Sequence, residues 1–158
     1  MRIHFLLPGL HRVHRGAEVA FEAIATEIGR LGRDEVTVVG SGQAIEGRPY
    51  QFRHCGLVPR ERFERFPSVP PLRSEYNYEE ASWVLNYASR YRASEADVTV
   101  TCSYPFTNWM LTRRPLFGRK PAHIFVTQNG DWPAYSDKSE YALFRCDGLV
   151  CTNPEYYD

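Results

Sequence analysis

The sequence has no surplus of charge: 19 Lys and Arg stand against 19 Asp and Glu in 158 residues. A general nucleic-acid binder carries a basic excess to meet phosphates, so that partner class is excluded. Long apolar runs are also missing. None approaches the roughly 20 residues needed to cross a bilayer, and Phe5-Leu6-Leu7 is cut short by Pro8-Gly9 with no small-residue cleavage site after it, which is not a secretory signal. Cysteine is sparse. Cys55, Cys102, Cys146 and Cys151 match no zinc spacing such as paired CxxC, so no metal is expected and all four are read as reduced. Neither GxGxxG nor GxxxxGK[ST] occurs, which disfavours dinucleotide and P-loop cofactors. A single domain of this length buries about 70% of its extended-chain surface and needs no covalent staple. A cytoplasmic enzyme or binding domain is the expectation.

What is present is a strand-to-helix opening. The apolar run Ile3 to Leu7 passes through Pro8-Gly9-Leu10-His11-Arg12-Val13-His14-Arg15-Gly16 into Ala17-Glu18. Open parallel α/β sheets begin this way, and the helix N-terminus facing such a turn attracts anions. The loop carries four His or Arg side chains, and Gly16 stands where backbone approaches either a ligand or its own strand. A plain first turn with solvated basic residues is the competing reading.

The first helix is predicted over Ala17 to Leu31, with Ala17, Ala20, Phe21, Ile24, Ile28 and Leu31 as its apolar face, Glu18, Glu22, Thr26 and Arg30 as its polar row, and Gly32 as its C-cap. Glu35-Val-Thr-Val-Val39 is the second strand. Residues 40 to 74 hold five prolines, with Tyr50 to His54 as the only candidate strand. Within them six arginines (48, 53, 60, 62, 65, 73) face three glutamates (46, 61, 64). Two readings are open: a solvated irregular connection, or a basic and aromatic lip that meets an anionic substrate or membrane surface.

Asn77 is read as the cap of the next helix with Glu80 as its reciprocal partner, and Ala81, Val84, Leu85 and Ala88 as its buried stripe to about Tyr91. Asp97 to Cys102 is a strand. The polar and aromatic turn Ser103 to Asn108 precedes a short helix from Trp109 to Arg113, and Ala122 to Val126 is a further strand followed by Thr127-Gln128-Asn129-Gly130-Asp131-Trp132-Pro133. A helix from about Ser136 to Phe144, a strand from Asp147 to Cys151 and a helix starting at Pro154 complete the pattern. Alternating strands and helices predict an α/β fold: a Rossmann-like, doubly wound parallel sheet flanked by helices, with ligands beyond the carboxyl ends of the strands. The loops there (8 to 16, 40 to 47, 103 to 108, 127 to 133, 152 to 154) are rich in hydroxyl, amide and aromatic side chains. Such loops suit a polyol better than an apolar ligand.

The succession of a first strand ending in Pro-Gly, then RGAE, DEVTVVG, ADVTVTCSYP, HIFVTQNGDWP and CDGLVCTNPEYY resembles the N-terminal half of family 4 glycosyltransferases, which have the GT-B fold. The likeness covers the chain except for residues 48 to 74. It implies transfer of a sugar from a nucleotide-sugar donor with retention of configuration, no metal or other cofactor, and an N-terminal Rossmann-like domain that mainly holds a glycan or lipid-linked acceptor. By the same resemblance Gly16, with Ala17 and Arg15, matches the turn that meets the donor diphosphate, Arg15 replacing the first of two usual glycines. Asn129 stands where many relatives have a His near the donor sugar. Gln128 and Asp131 flank it, as in bacterial members linked to rhamnose-type and surface polysaccharide transfer. Asp131 and Asn129 are the candidate catalytic pair, and Gln128, Ser103, Tyr104 and Trp132 the candidate substrate-binding residues. Asn129-Gly130 is also a sound turn dipeptide, and Asp131 could cap Trp132-Pro133 locally.

Nothing in the 158 residues resembles the donor-binding domain of that family, with its two spaced glutamates and basic phosphate-binding residue. The chain is therefore expected to be the acceptor-side domain, truncated or split from its partner domain and inert alone, with a peripheral contact at the inner face of the membrane as the role of the arginine-rich segment. The alternative from another class is a free-standing, non-catalytic sugar- or nucleotide-binding module.

Overall fold

The computed structural model describes residues 1–102, 104–113, 119–127 and 145–151. Six strands, β1 (Arg2–Leu6), β2 (Glu35–Gly40), β3 (Gln51–His54), β4 (Val98–Cys102), β5 (Ala122–Thr127) and β6 (Gly148–Cys151), form one sheet in the order β3-β2-β1-β4-β5-β6. Every pairing is parallel. The order reverses between β1 and β4, as in a Rossmann-like doubly wound sheet.

Side chains alternate between the two faces, so each face builds its own core. Ile3 and Phe5 of β1, with Val36, Val38 and Val100, pack against Phe21 and Ala25 of helix α1 (Gly16–Leu31). Leu6 and Val39 turn the other way, onto Trp83, Val84 and Tyr87 of helix α2 (Glu75–Arg90) and Leu111 of helix α3 (Pro105–Thr112). The central strands are buried on both sides.

The strands match the sequence expectations to within a residue at each end, and Gly32 caps α1 with φ at 65°. The helix faces differ. In α1 both rows are divided: Phe21 of the apolar face is buried and Ala17 and Ile28 pack against the core, but Glu18, Glu22 and Thr26 of the polar row are inside as well, while Ile24, Leu31 and Arg30 are exposed. The reason is the loop between β2 and β3, which lies along the polar row. Pro49 occupies the space where Gly29 lacks a side chain, and Arg48 reaches Glu22 at 3.5 Å.

Helix α2 begins one turn earlier than expected, with Ser74 rather than Asn77 as its cap; Asn77 accepts from the Arg73 amide and the Ser74 hydroxyl, each at 3.2 Å. Its buried face is Trp83, Val84 and Tyr87, whereas Leu85 is 74% exposed and Ala88 is exposed. Trp83 and Tyr87 stack with centroids 5.3 Å apart. Their larger apolar area wins the sheet-facing position over Ala and Leu. Helix α3 starts at Pro105, not Trp109, because proline suits the first helical position and leaves Tyr104 as the N-cap.

The segment from 48 to 74 is more ordered than a solvated connection. Phe63, Phe66 and Tyr78 form a ring cluster with centroids 5.1 to 5.4 Å apart, and the Tyr78 hydroxyl donates to the Pro67 carbonyl at 2.7 Å. Arg62 and Arg65 project into solvent. Cys55 and Cys102 are buried, and Cys146 is half-buried. None of the described helices is long and apolar enough to cross a membrane.

Candidate functional site

The strand order reverses between β1 and β4, and at such a reversal open α/β sheets hold ligands in a crevice at the carboxyl edge. The loop after β1 is tied down on one side. Ser41 donates its amide and hydroxyl to the Pro8 carbonyl at 3.1 and 2.5 Å, and the Gly42 amide donates to Leu10 at 3.1 Å. His11 adopts φ of 60°, stacks on Phe52 at 4.2 Å, and places its ring nitrogens 2.8 Å from the Gln43 carbonyl and the Tyr50 hydroxyl. His11 is thus a structural pin rather than a free basic group. Arg12 is also engaged, donating to Glu79 at 2.7 Å. Arg15 instead lies over the ring of Tyr76.

Gly16 opens α1 with unhindered space around it: a Cβ there would meet nothing within 4 Å. Close approach to its own strand is therefore not the reason for a glycine there. Gly9 carries the internal constraint instead, since a Cβ at that position would collide with the Glu18 carboxyl. No side chain caps α1, because Arg15 occupies the cap position with no hydrogen bond from its side chain. The Glu18 amide is met by its own carboxyl, which leaves the two amides before it to an anion.

Around this helix end the structure assembles groups that sequence spacing did not bring together. Arg15 and Arg60 both lie over the Tyr76 ring, their guanidinium carbons 5.8 and 4.7 Å from its centroid. Tyr76 belongs to the first turn of α2 and Arg60 to the arginine-rich segment. Glu79 joins the two, accepting from Arg12 at 2.7 Å and from the Arg60 amide at 2.9 Å. Arg12 is thereby neutralised. Arg15 has no carboxylate partner among the described residues, and Arg60 has only the exposed Glu61 at 3.6 Å.

Two buried acids stand beside these arginines. Glu18 is 1% exposed, and its Oε2 has no hydrogen-bond partner; burial raises its pKa, opposed by its own backbone amide, Arg15 and Arg12. Glu80 accepts from the Thr107 amide at 2.7 Å across to α3, and its second oxygen is likewise unpartnered. Burial pushes its pKa up to about 8. Tyr104 lies between these groups. Its hydroxyl pKa is raised first by burial and then by the nearby Glu18 and Glu80 carboxyls.

Of the residues expected at this edge, Arg15, Gly16 and Ala17 stand at the start of α1, and Tyr104, the N-cap of α3, is close enough to feel the charge of Arg15. Sequence reasoning missed Glu18, Arg60, Tyr76, Glu79 and Glu80. The only signal for the last two was an acidic pair near the start of a helix whose N-terminus lies at the carboxyl edge. Ser103, Gln128, Asn129, Asp131 and Trp132 lie outside the described residues, as do the helices predicted over 136 to 144 and from 154. Among the described residues no group of three His, Cys, Asp or Glu side chains could hold a metal ion.

No known protein family matches this sequence, and no curated protein matches it.

Proposed function

We propose that this chain is the acceptor-side half of a GT-B glycosyltransferase, retaining and nucleotide-sugar dependent, acting on a glycan or lipid-linked acceptor in polysaccharide or glycolipid synthesis. The observation that carries the reading is the open N-terminus of α1 at the β1/β4 crevice, uncapped, unobstructed at Gly16, and flanked by Arg15 and Arg60. A leaving diphosphate develops negative charge, and helix amides with guanidinium groups are suited to receive it. Asp131, with Gln128 and Asn129 beside it, is assigned to the attacking hydroxyl of the acceptor, and Ser103, Tyr104 and Trp132 to the sugar faces.

Charge stabilisation in this reaction needs groups from two domains, so the 158-residue chain alone transfers no sugar. The test is made in the protein that joins it to a donor-binding domain. There Gly16→Val lowers kcat/KM for the donor by about 10²-fold, the scale of losing a positioned donor to a developing oxyanion, while Tm stays within a few degrees of the parent. Normal transfer by the variant, or activity and Tm falling together, overturns the assignment. Saturable nucleotide-sugar binding without any transfer by the two-domain protein would instead favour a non-catalytic binding module.

A further inference from the structure

Far from the crevice, the last turns of α2 run past the edge strand β3 and enclose a cavity of about 330 Å³. Tyr87 and Tyr91 wall it with rings 5.5 Å apart, the buried Cys55 is part of its lining, and Arg53, Arg90 and Arg92 reach it. A second cavity of about 190 Å³ adjoins it, lined by His4, Thr37 and Gln51 among others. Arg53 and Glu95 line both, and their ion pair is the partition between them.

Three features distinguish this place from an ordinary surface groove. The charges do not cancel: Glu95 answers Arg53, but among the described residues no carboxylate pairs with Arg90 or Arg92, and Arg92 donates only to the Tyr91 carbonyl at 3.2 Å. The wall is aromatic, offering ring faces that stack on a flat apolar guest. The smaller compartment holds an orphan, because His4 is 4% exposed and its Nδ1 has no hydrogen-bond partner. Buried polar groups are normally satisfied, and this unsatisfied one belongs to a residue that borders the cavity.

We propose that the larger compartment, with His4 behind its Arg53–Glu95 wall, forms a binding site for a small molecule that couples a flat apolar ring to an oxyanion. The ring lies against Tyr87 and Tyr91, and the oxyanion, a phosphate or a carboxylate, is gripped by Arg90 and Arg92. Guanidinium groups bind either oxyanion through paired N–H donors. The volume is at the small end of ligand pockets, enough for one ring and its charged substituent. The site stands apart from the sugar-transfer reading: α2 rises 1.5 Å per residue, so Arg90 lies about 16 Å along the helix from Glu79.

Calorimetric titration of the purified chain with four probes tests this: phenyl phosphate, phenylacetate, inorganic phosphate and 2-phenylethanol. Phenyl phosphate or phenylacetate, or both, is expected to bind saturably and to shift the His4 imidazole resonance, and the stronger of the two identifies the oxyanion. Inorganic phosphate and the neutral alcohol bind at least about tenfold more weakly, each lacking one of the two contacts. Arg90 and Arg92 are on the surface, so the double variant Arg90→Gln, Arg92→Gln keeps its fold, checked by its melting curve, and loses at least about tenfold in affinity for the preferred probe. Equal binding of inorganic phosphate, unchanged affinity in the double variant, or no saturable binding of either ring-bearing anion overturns the proposal.

Discussion

Glu80 is a carboxyl held largely in its neutral form at pH 7, because burial between α2 and α3 pushes its pKa up to about 8. Its one hydrogen bond, from the Thr107 amide, is available to either protonation state. A folded-state pKa above the unfolded value means that the group's contribution is full below about pH 4.5 and is lost as pH rises through 8. Glutamine mimics the neutral acid. Glu80→Gln is therefore expected to leave Tm nearly unchanged at pH 5 and to raise it by about 3 °C or more at pH 9, read by circular dichroism melts at the two pH values. A variant less stable than the parent at pH 9 would show that the carboxylate form is the one the fold favours.

For the helices, the decisive quantity is which stripe faces the sheet. Helix α2 illustrates the competition, since Trp83 and Leu85 are both large and apolar, yet Trp83 is fully buried and Leu85 is 74% exposed. Trp83→Ala removes a stacked, close-packed ring and is expected to cost about 3–5 kcal/mol. Leu85→Ala is expected to stay within about 0.5 kcal/mol of the parent, as surface substitutions do. Urea unfolding of the two variants measures both. A comparable loss at Leu85 would mean that the helix sits rotated from the orientation described. The rotation is also what brings Tyr76, Glu79 and Glu80 to the crevice, because residues three and four apart share a helix face with the buried Trp83.

For the molecule as a whole, the two sheet faces differ in polarity. One is an apolar core under α1, while the face under α2 and α3 includes His4, Thr37, Thr99 and His123, all buried. His123 places one ring nitrogen 2.9 Å from the Thr99 hydroxyl and the other 2.7 Å from Asn108 Oδ1. Burial lowers the pKa of His4 and of His123 to about 4, in each case aided by a nearby cation, Arg53 or Lys120. Here the folded-state value lies below the ordinary 6.5, so the contribution of both groups is full above that pH and is lost as pH falls toward 4. Acidification over that window is expected to lower Tm, and the His4 and His123 imidazole resonances are expected to remain those of neutral rings down to about pH 4. A midpoint near 6.5 for either ring would mean that it is solvated rather than enclosed by the sheet and helices.

By itself the sequence determined the parallel α/β architecture. Strands of β-branched residues such as Glu35 to Val39 and Asp97 to Cys102, spaced by segments of helical period, leave little choice but a sheet with helices on its faces. It also determined the end of α1 at Gly32, where a left-handed residue is required, and it located Arg15 and Gly16 at a strand-to-helix turn. These are local properties, written in neighbouring residues. Only the tertiary structure decided which flank of α1 and α2 is buried, since that depends on Pro49, twenty residues further along the chain, filling the notch at Gly29 and on two aromatic rings outcompeting a leucine. The crevice was decided in the same way. His11 and Arg12 looked equivalent to Arg15 in the sequence, but Tyr50, Phe52 and Glu79 engage the first two and leave the third beside Arg60. Charge at a site is a sum over partners distant in sequence, so no spacing rule within a single loop could have predicted which arginine remained free for a ligand.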